Sequence, residues 1–247
     1  MELTRRIGNV ASRLYWALGE RARGRPLIHV AGDSHTKAFA WTRGCVVHHL
    51  GPATAYRLRD PDNSTRSREK LFGVVDRLDP GRDVLLLVFG EIDCRIHIYA
   101  QHRKRNGAVS MEALMDEIIT RYGSVMEEVR GRGIRFAVLG PPPATRQSNR
   151  YGIEFYATPD VHRFIYSEFN SRLRAYCRSH GYAYVDVYSS TVDENGFAQS
   201  RYAADDTHLN NDAARLVRRW VLAEYAVAMS GRAHDPRPPG TAERRRD

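Results

Sequence analysis

Apolar residues along the chain fall into two rhythms that alternate from one end to the other. Short apolar runs read as strands: PLIHVAGDSH from residue 26, CVVHHLG at 45 to 51, DVLLLVFGEID from 83, IRFAVLGPPP from 134 and YAYVDVYS from 182. Stretches with apolar residues every three or four positions read as helices: Arg68 to Leu78, Met111 to Arg130, Pro159 to His180 and Asn210 to Met229. Met111 to Arg130 sets Leu114, Ile118, Tyr122 and Met126 on one stripe and stops at Gly131 and Gly133. The third run is apolar nearly throughout, with its polar residues gathered toward the carboxyl end, as in a central strand covered on both faces. Strand and helix alternating over the whole length predict a single α/β domain, a parallel sheet with helices on both faces.

In such sheets ligands bind beyond the carboxyl ends of the strands. The polar strings sit there: GDSH after the first strand, Gly51 after the second, GEIDCR after the third and PPPAT after the fourth. A further string, Asp205-Asp206-Thr207-His208, leads into the last helix.

Together the first and last strings supply a hydroxyl, an imidazole and a carboxylate. A serine is a poor nucleophile near neutral pH unless a base takes its proton. Ser34 is the candidate nucleophile and His208 the candidate base; Asp205, three residues earlier, can accept the other ring N–H and fix the tautomer. A second reading of the same residues is purely structural, with Ser34 capping the turn that follows it and Asp205 capping the last helix.

The order and strand-end placement of these blocks resemble the SGNH hydrolases, also called the GDSL family of esterases and lipases, over about residues 26 to 229. Gly32-Asp33-Ser34 matches the family's first block, Gly51 in HHLGPATAY looks like the second, and Asp205-Asp206-Thr207-His208 matches the final DxxH, whose spacing selects Asp205 over Asp206. The resemblance implies a three-layer α/β/α sandwich of flavodoxin-like architecture around a central parallel sheet. It also implies a Ser34–His208–Asp205 triad and an oxyanion hole from the backbone N–H groups of Ser34 and Gly51. The third block departs: Gly90-Glu91-Ile92-Asp93 puts Ile92 where the family has an asparagine that donates to the oxyanion.

Arg95, with several donors in a planar fork, is the expected substitute, a ligand for an anionic substrate, or simply the neutralising partner of Asp93 and Glu91. His97 shares strand parity with Asp93 and Arg95, which would aim all three at one pocket; a plain surface histidine is the other reading. Asp33, Glu91, Asp93, Arg95 and His97 are thus the candidate substrate-binding set. His35 is expected to point away and takes no role. Cys94 has no histidine or helix start tied to it as His208 is to Ser34. His48 and His49 face opposite ways on a strand, so with His97 they make a poor metal site.

The expected activity is deacylation of a carbohydrate-like or other small-metabolite ester through an acyl-enzyme, with no metal or organic cofactor. Acyl transfer to an alcohol is the alternative that shares the machinery, and a non-catalytic binding protein on the same fold is the other. The net charge of +9 favours acidic partners, an anionic ester among them. That charge is mostly scattered arginine without a nucleic-acid-binding motif, so nucleic acid is not the expected partner.

Residues 1 to 25 carry Ile7, Val10, Leu14 and Leu18 opposite Arg5, Arg13 and Arg21, which predicts a basic amphipathic helix packing on the domain spanning 26 to 229; a helix lying on an anionic membrane surface has the same pattern. Residues 230 to 247, rich in proline and charge, are expected to be a disordered tail. No stretch has membrane-spanning length and no signal peptide is apparent. The three cysteines, Cys45, Cys94 and Cys177, form no CxxC pair, so a reducing cytoplasm is the expected location.

Overall fold

The computed structural model describes residues 19 to 230, apart from 147, 148, 150 and 151. The amphipathic helix expected over 1 to 25 and the tail expected over 230 to 247 lie almost entirely outside the described residues. Five strands form one parallel sheet: β1 (Leu27–Gly32), β2 (Cys45–His49), β3 (Asp83–Val88), β4 (Phe136–Leu139) and β5 (Ala183–Val185). Their spatial order is β2-β1-β3-β4-β5, the flavodoxin-like arrangement.

Side chains of β3 alternate between two cores. Leu85 and Leu87 pack against α1 (Ser67–Val75), α3 (Met111–Gly131) and α4 (Pro159–Ser179) through residues such as Leu71, Ile118 and Phe169. Val84, Leu86 and Val88 pack on the opposite face against Ala213, Val217 and Val221 of α6 (Asn211–Ser230). Burial on both faces explains why this strand reads as an unbroken apolar run. No helix among the described residues is long and apolar enough to cross a membrane.

Helix starts follow from local chemistry. Ser110 caps α3 by accepting from Ala113 N–H, and Thr158 caps α4, which has proline in its first turn. Two expectations are corrected. The run YAYVDVYS is strand only as far as Val185; Asp186 then accepts from Ser189 N–H and opens a short helix, α5 (Val187–Thr191). The GEIDCR string and the basic stretch after it are helical, not strand and loop. Cys94 N–H donates to Gly90 O (3.0 Å), and a wide π turn over Asp93–His97 leads into α2 (Ile98–Lys104).

The sheet order reverses between β1 and β3, and this is where parallel sheets place ligands. Gly32 is required there for packing: a Cβ on it would lie 1.9 Å from the Val88 carbonyl oxygen of β3. That close approach brings the ends of β1 and β3, and the strings that follow them, against each other.

Candidate active site

Beyond β1 the chain winds into a 3-10 turn, Ser34–Phe39, capped by the Asp33 side chain, which accepts from His35 N–H at 2.8 Å. At the far end of the sequence, Asn210 caps α6 by accepting from Asp212 and Ala213 N–H (3.0 and 3.2 Å). Both capping positions are therefore filled by other residues, which leaves the side chains of Ser34 and Asp205 for something else. Asn211 joins the two ends by donating to Ala38 O and Thr42 Oγ1.

Ser34 Oγ lies 2.9 Å from His208 Nε2 across 174 positions of sequence. On the other side of the ring, Nδ1 lies 2.8 Å from Asp205 Oδ2 and 3.0 Å from Oδ1. A carboxylate only accepts, so Nδ1 carries the proton and Nε2 is free to accept from the serine hydroxyl. Asp205 Oδ1 also accepts from Thr207 and His208 N–H, which folds the loop around it. Slight burial raises the Asp205 carboxyl, but the bonds from His208 and Thr207 outweigh it and hold it down at about 2. Asp206 is exposed, and its backbone carbonyl accepts from Thr145 Oγ1.

The turn after β2 lies alongside: Leu50 N–H donates to Gly32 O at 2.8 Å. Gly51 follows with φ +96°, a conformation open to glycine and strained for other residues. Among the described residues neither Ser34 N–H nor Gly51 N–H donates to a backbone or side-chain acceptor. Lys70, which the sequence did not single out, reaches this turn from α1 and donates to Leu50 O at 3.1 Å.

The candidate substrate-binding set divides. Asp33 and Glu91 are buried, at 0% and 4% exposure; Asp33 accepts from His35 N–H, and Glu91 accepts from Arg95 and from the Tyr166 hydroxyl. Arg95 is committed to Glu91, with Nε at 2.7 Å from Oε1 and Nη2 at 3.3 Å from Oε2. The helical path puts Glu91 and Arg95, four residues apart, on one side of a turn, so the guanidinium neutralises Glu91. Ile92 is buried and apolar.

Asp93 and His97 instead line a cavity of about 390 Å³ with Pro52, Thr54, Tyr56 and Gln101. Asp93 accepts from Ala55 N–H (2.7 Å) and Tyr56 N–H (3.3 Å), tying the turn after β2 to the end of β3. Burial pushes its carboxyl up to about 7 against those bonds. Burial, with Lys104 and Arg95 nearby, lowers His97, which is therefore neutral near pH 7. Cys94 is fully buried, and burial raises its thiol far above the ordinary range, so it offers no thiolate.

Contrary to the expectation that His35 points away, its ring is buried among these groups and bonds to both Asp33 and the Thr207 carbonyl. The signal available was its place beside the serine; nothing local showed where its ring would go. Asp33, His35 and Glu91 form the one set of side chains with metal-ligand spacing among the described residues.

No family model matches the chain, and no curated protein matches it. Solved structures do. A GDSL-like lipase from Bacteroides thetaiotaomicron superposes at a TM-score of 0.52 and 17% identity, over 89% of this chain and 98% of its own. A candidate acylhydrolase from Bacteroides fragilis gives 0.52 and 18%, over 83% and 88%. An acetyl xylan esterase gives 0.50 and 12%, over 80% and 98%. The chain thus has the fold of the GDSL, or SGNH, hydrolases across most of its length.

Proposed function

We propose that the chain is a serine esterase that removes an acyl group from a hydroxyl of a carbohydrate-like or other small polar molecule. The observation that carries this reading is the unbroken chain Ser34 Oγ–His208–Asp205, at 2.9 and 2.8 Å. The fold shared with a GDSL-like lipase and an acetyl xylan esterase supports it. The cavity beside Gly51 supports the polar alcohol, since Thr54, Tyr56, Ser64, Thr65 and Gln101 line it with hydroxyls and an amide.

In the first half-reaction Ser34 Oγ attacks the acyl carbon as its proton passes to His208 Nε2. Asp205 stabilises the resulting imidazolium. The carbonyl oxygen becomes an oxyanion, to which Ser34 and Gly51 N–H donate. One donor of this kind is worth about 10²–10³ in rate in a serine protease, so the absence of an amide at Ile92 puts weight on the backbone pair. Collapse breaks the ester C–O bond, and His208 returns the proton to the departing alkoxide. Water then attacks the acyl-enzyme with His208 as base, releasing the acid and restoring Ser34.

A fluorophosphonate probe and short-chain aryl esters test this directly. Labelling at Ser34 with ester turnover, both lost in Ser34→Ala, is expected; a folded protein that neither labels nor turns over any ester overturns the reading. Repeating the turnover with sugar acceptors separates release to water from transfer to a hydroxyl.

A further inference from the structure

His35 takes no part in the proton relay, yet its 3% exposed ring lies directly beneath it. Nδ1 is 3.1 Å from Asp33 Oδ1, and Nε2 is 2.9 Å from the backbone oxygen of Thr207. A carboxylate and a carbonyl only accept, so both ring nitrogens carry protons and the ring is an imidazolium. Glu91 Oε2 lies 3.9 Å from Nδ1, and Glu91 is itself held by Arg95 at 2.7 Å and by the Tyr166 hydroxyl at 2.8 Å. Two carboxylates, one guanidinium and one imidazolium sum to zero, the condition under which buried charge is tolerable. Burial alone would push the ring down; Glu91 and Asp33 outweigh it and lift it to about 9.

Thr207 immediately precedes His208, and the two imidazole rings lie with centroids 4.9 Å apart at a 38° tilt. Asp205 Oδ1 folds the loop on itself, Thr145 holds Asp206 O, and Asn211, three residues past His208, donates to Ala38 O and Thr42 Oγ1. His35 adds a tie directly between the residue next to Ser34 and the residue next to His208.

We propose that His35 is a positioning residue: its doubly protonated ring clamps the Thr207 carbonyl to the Ser34 segment and so keeps His208 Nε2 within reach of Ser34 Oγ. The inference rests on the Ser34–His208 pair acting as proposed above. A divalent ion among Asp33, His35 and Glu91, which lie within 4.8 Å of one another, is the rival occupant. It would replace the Nδ1 proton and leave an excess of positive charge beside Arg95. The space bordered by these residues is about 10 Å³, room for one water.

Nitrogen-resolved NMR of ¹⁵N-histidine-labelled protein at pH 7.5 tests the clamp without requiring activity. Protons on both His35 ring nitrogens are expected. A neutral ring, or one equivalent of tightly held metal that disappears in His35→Ala, overturns it. In ester turnover, His35→Gln keeps an N–H for Thr207 O, whereas His35→Ala keeps none. A fall in kcat of about 10-fold for the first and about 100-fold for the second, with KM little changed, is expected, since a displacement of about 1 Å at a reacting pair can cost that much. Unchanged kcat, or a change confined to KM, in folded variants overturns the proposal. If the variants do not fold, the NMR result stands alone. If wild-type Ser34 fails to react with the fluorophosphonate, the esterase reading falls while the NMR still reports on the clamp.

Discussion

The β1 side of the site and the β3 side are assembled by different means. On the β1 side, the 3-10 turn after Gly32 and the loop before α6 are fixed by short hydrogen bonds: Asp33 to His35, His35 to Thr207, Asp205 to His208 and Asn211 to Ala38. On the β3 side, the chain enters a π turn whose charged residues bond to each other, Arg95 to Glu91, while Asp93 and His97 open onto a cavity of about 390 Å³. One side fixes reacting atoms to within a hydrogen bond, and the other leaves room. Under the proposed function, chemistry belongs to the first side and substrate choice to the second, and the third block departs from the GDSL pattern without touching the Ser34–His208–Asp205 hydrogen bonds.

Substitutions can break this division or sharpen it. Ser34→Ala is expected to lower kcat by about 10⁴-fold or more with the fold intact, measured by aryl-ester turnover and circular dichroism. Asp205→Asn should cost on the order of 10⁴-fold, because the amide favours the wrong tautomer of His208; a loss below tenfold would mean Asp206 or water does its work. Gly51→Ala, forced into φ +96°, should displace one oxyanion donor and lower kcat about 10²-fold with KM nearly constant. Tyr56→Phe and His97→Ala, on the cavity, should act the other way, raising KM by about tenfold for a bulky polar ester while leaving acetyl aryl esters almost untouched. A loss of kcat on every ester from these two would abolish the distinction between the sides.

The smallest effect concerns pH. The His35 pKa is raised from 6.5 to about 9, so the folded state binds this proton more tightly than the unfolded chain. The stabilisation is full below about 6.5 and is lost as pH rises through 9, on the order of 3 kcal/mol in all. Thermal melting should therefore drop by several degrees between pH 6.5 and 9.5, and the drop should shrink in His35→Gln. An equal drop in that variant would assign the effect to other groups.

The alternation of apolar runs and periodic stretches determined the layers of this protein, because a strand buried on both faces and a helix covering one face each leave their period in the sequence. DVLLLVFGEID announced β3, and the stripe through Leu114, Ile118, Tyr122 and Met126 announced α3. The short strings determined which residue types are available at the strand ends. Where the chain's path depended on bonds to remote partners, the local pattern could not report it. Asp93 begins a π turn while accepting N–H groups from Ala55 and Tyr56, 37 to 38 positions away, and so the strand parity assigned to Arg95 and His97 had no strand to act on.

The same limit explains His35. Its neighbours Asp33 and Ser34 were visible, but the carbonyl it holds belongs to Thr207, and no spacing rule reaches across 172 residues. Residue types and their periodicity are properties of neighbours along the chain; the distances at which a hydroxyl, an imidazole and a carboxylate act on one another are set by how the sheet closes. Asp33 and Asn210 take the capping positions through bonds two or three residues along the chain, which leaves Ser34 and Asp205 free; the tertiary structure alone decided that Ser34 would meet His208 across 174 positions.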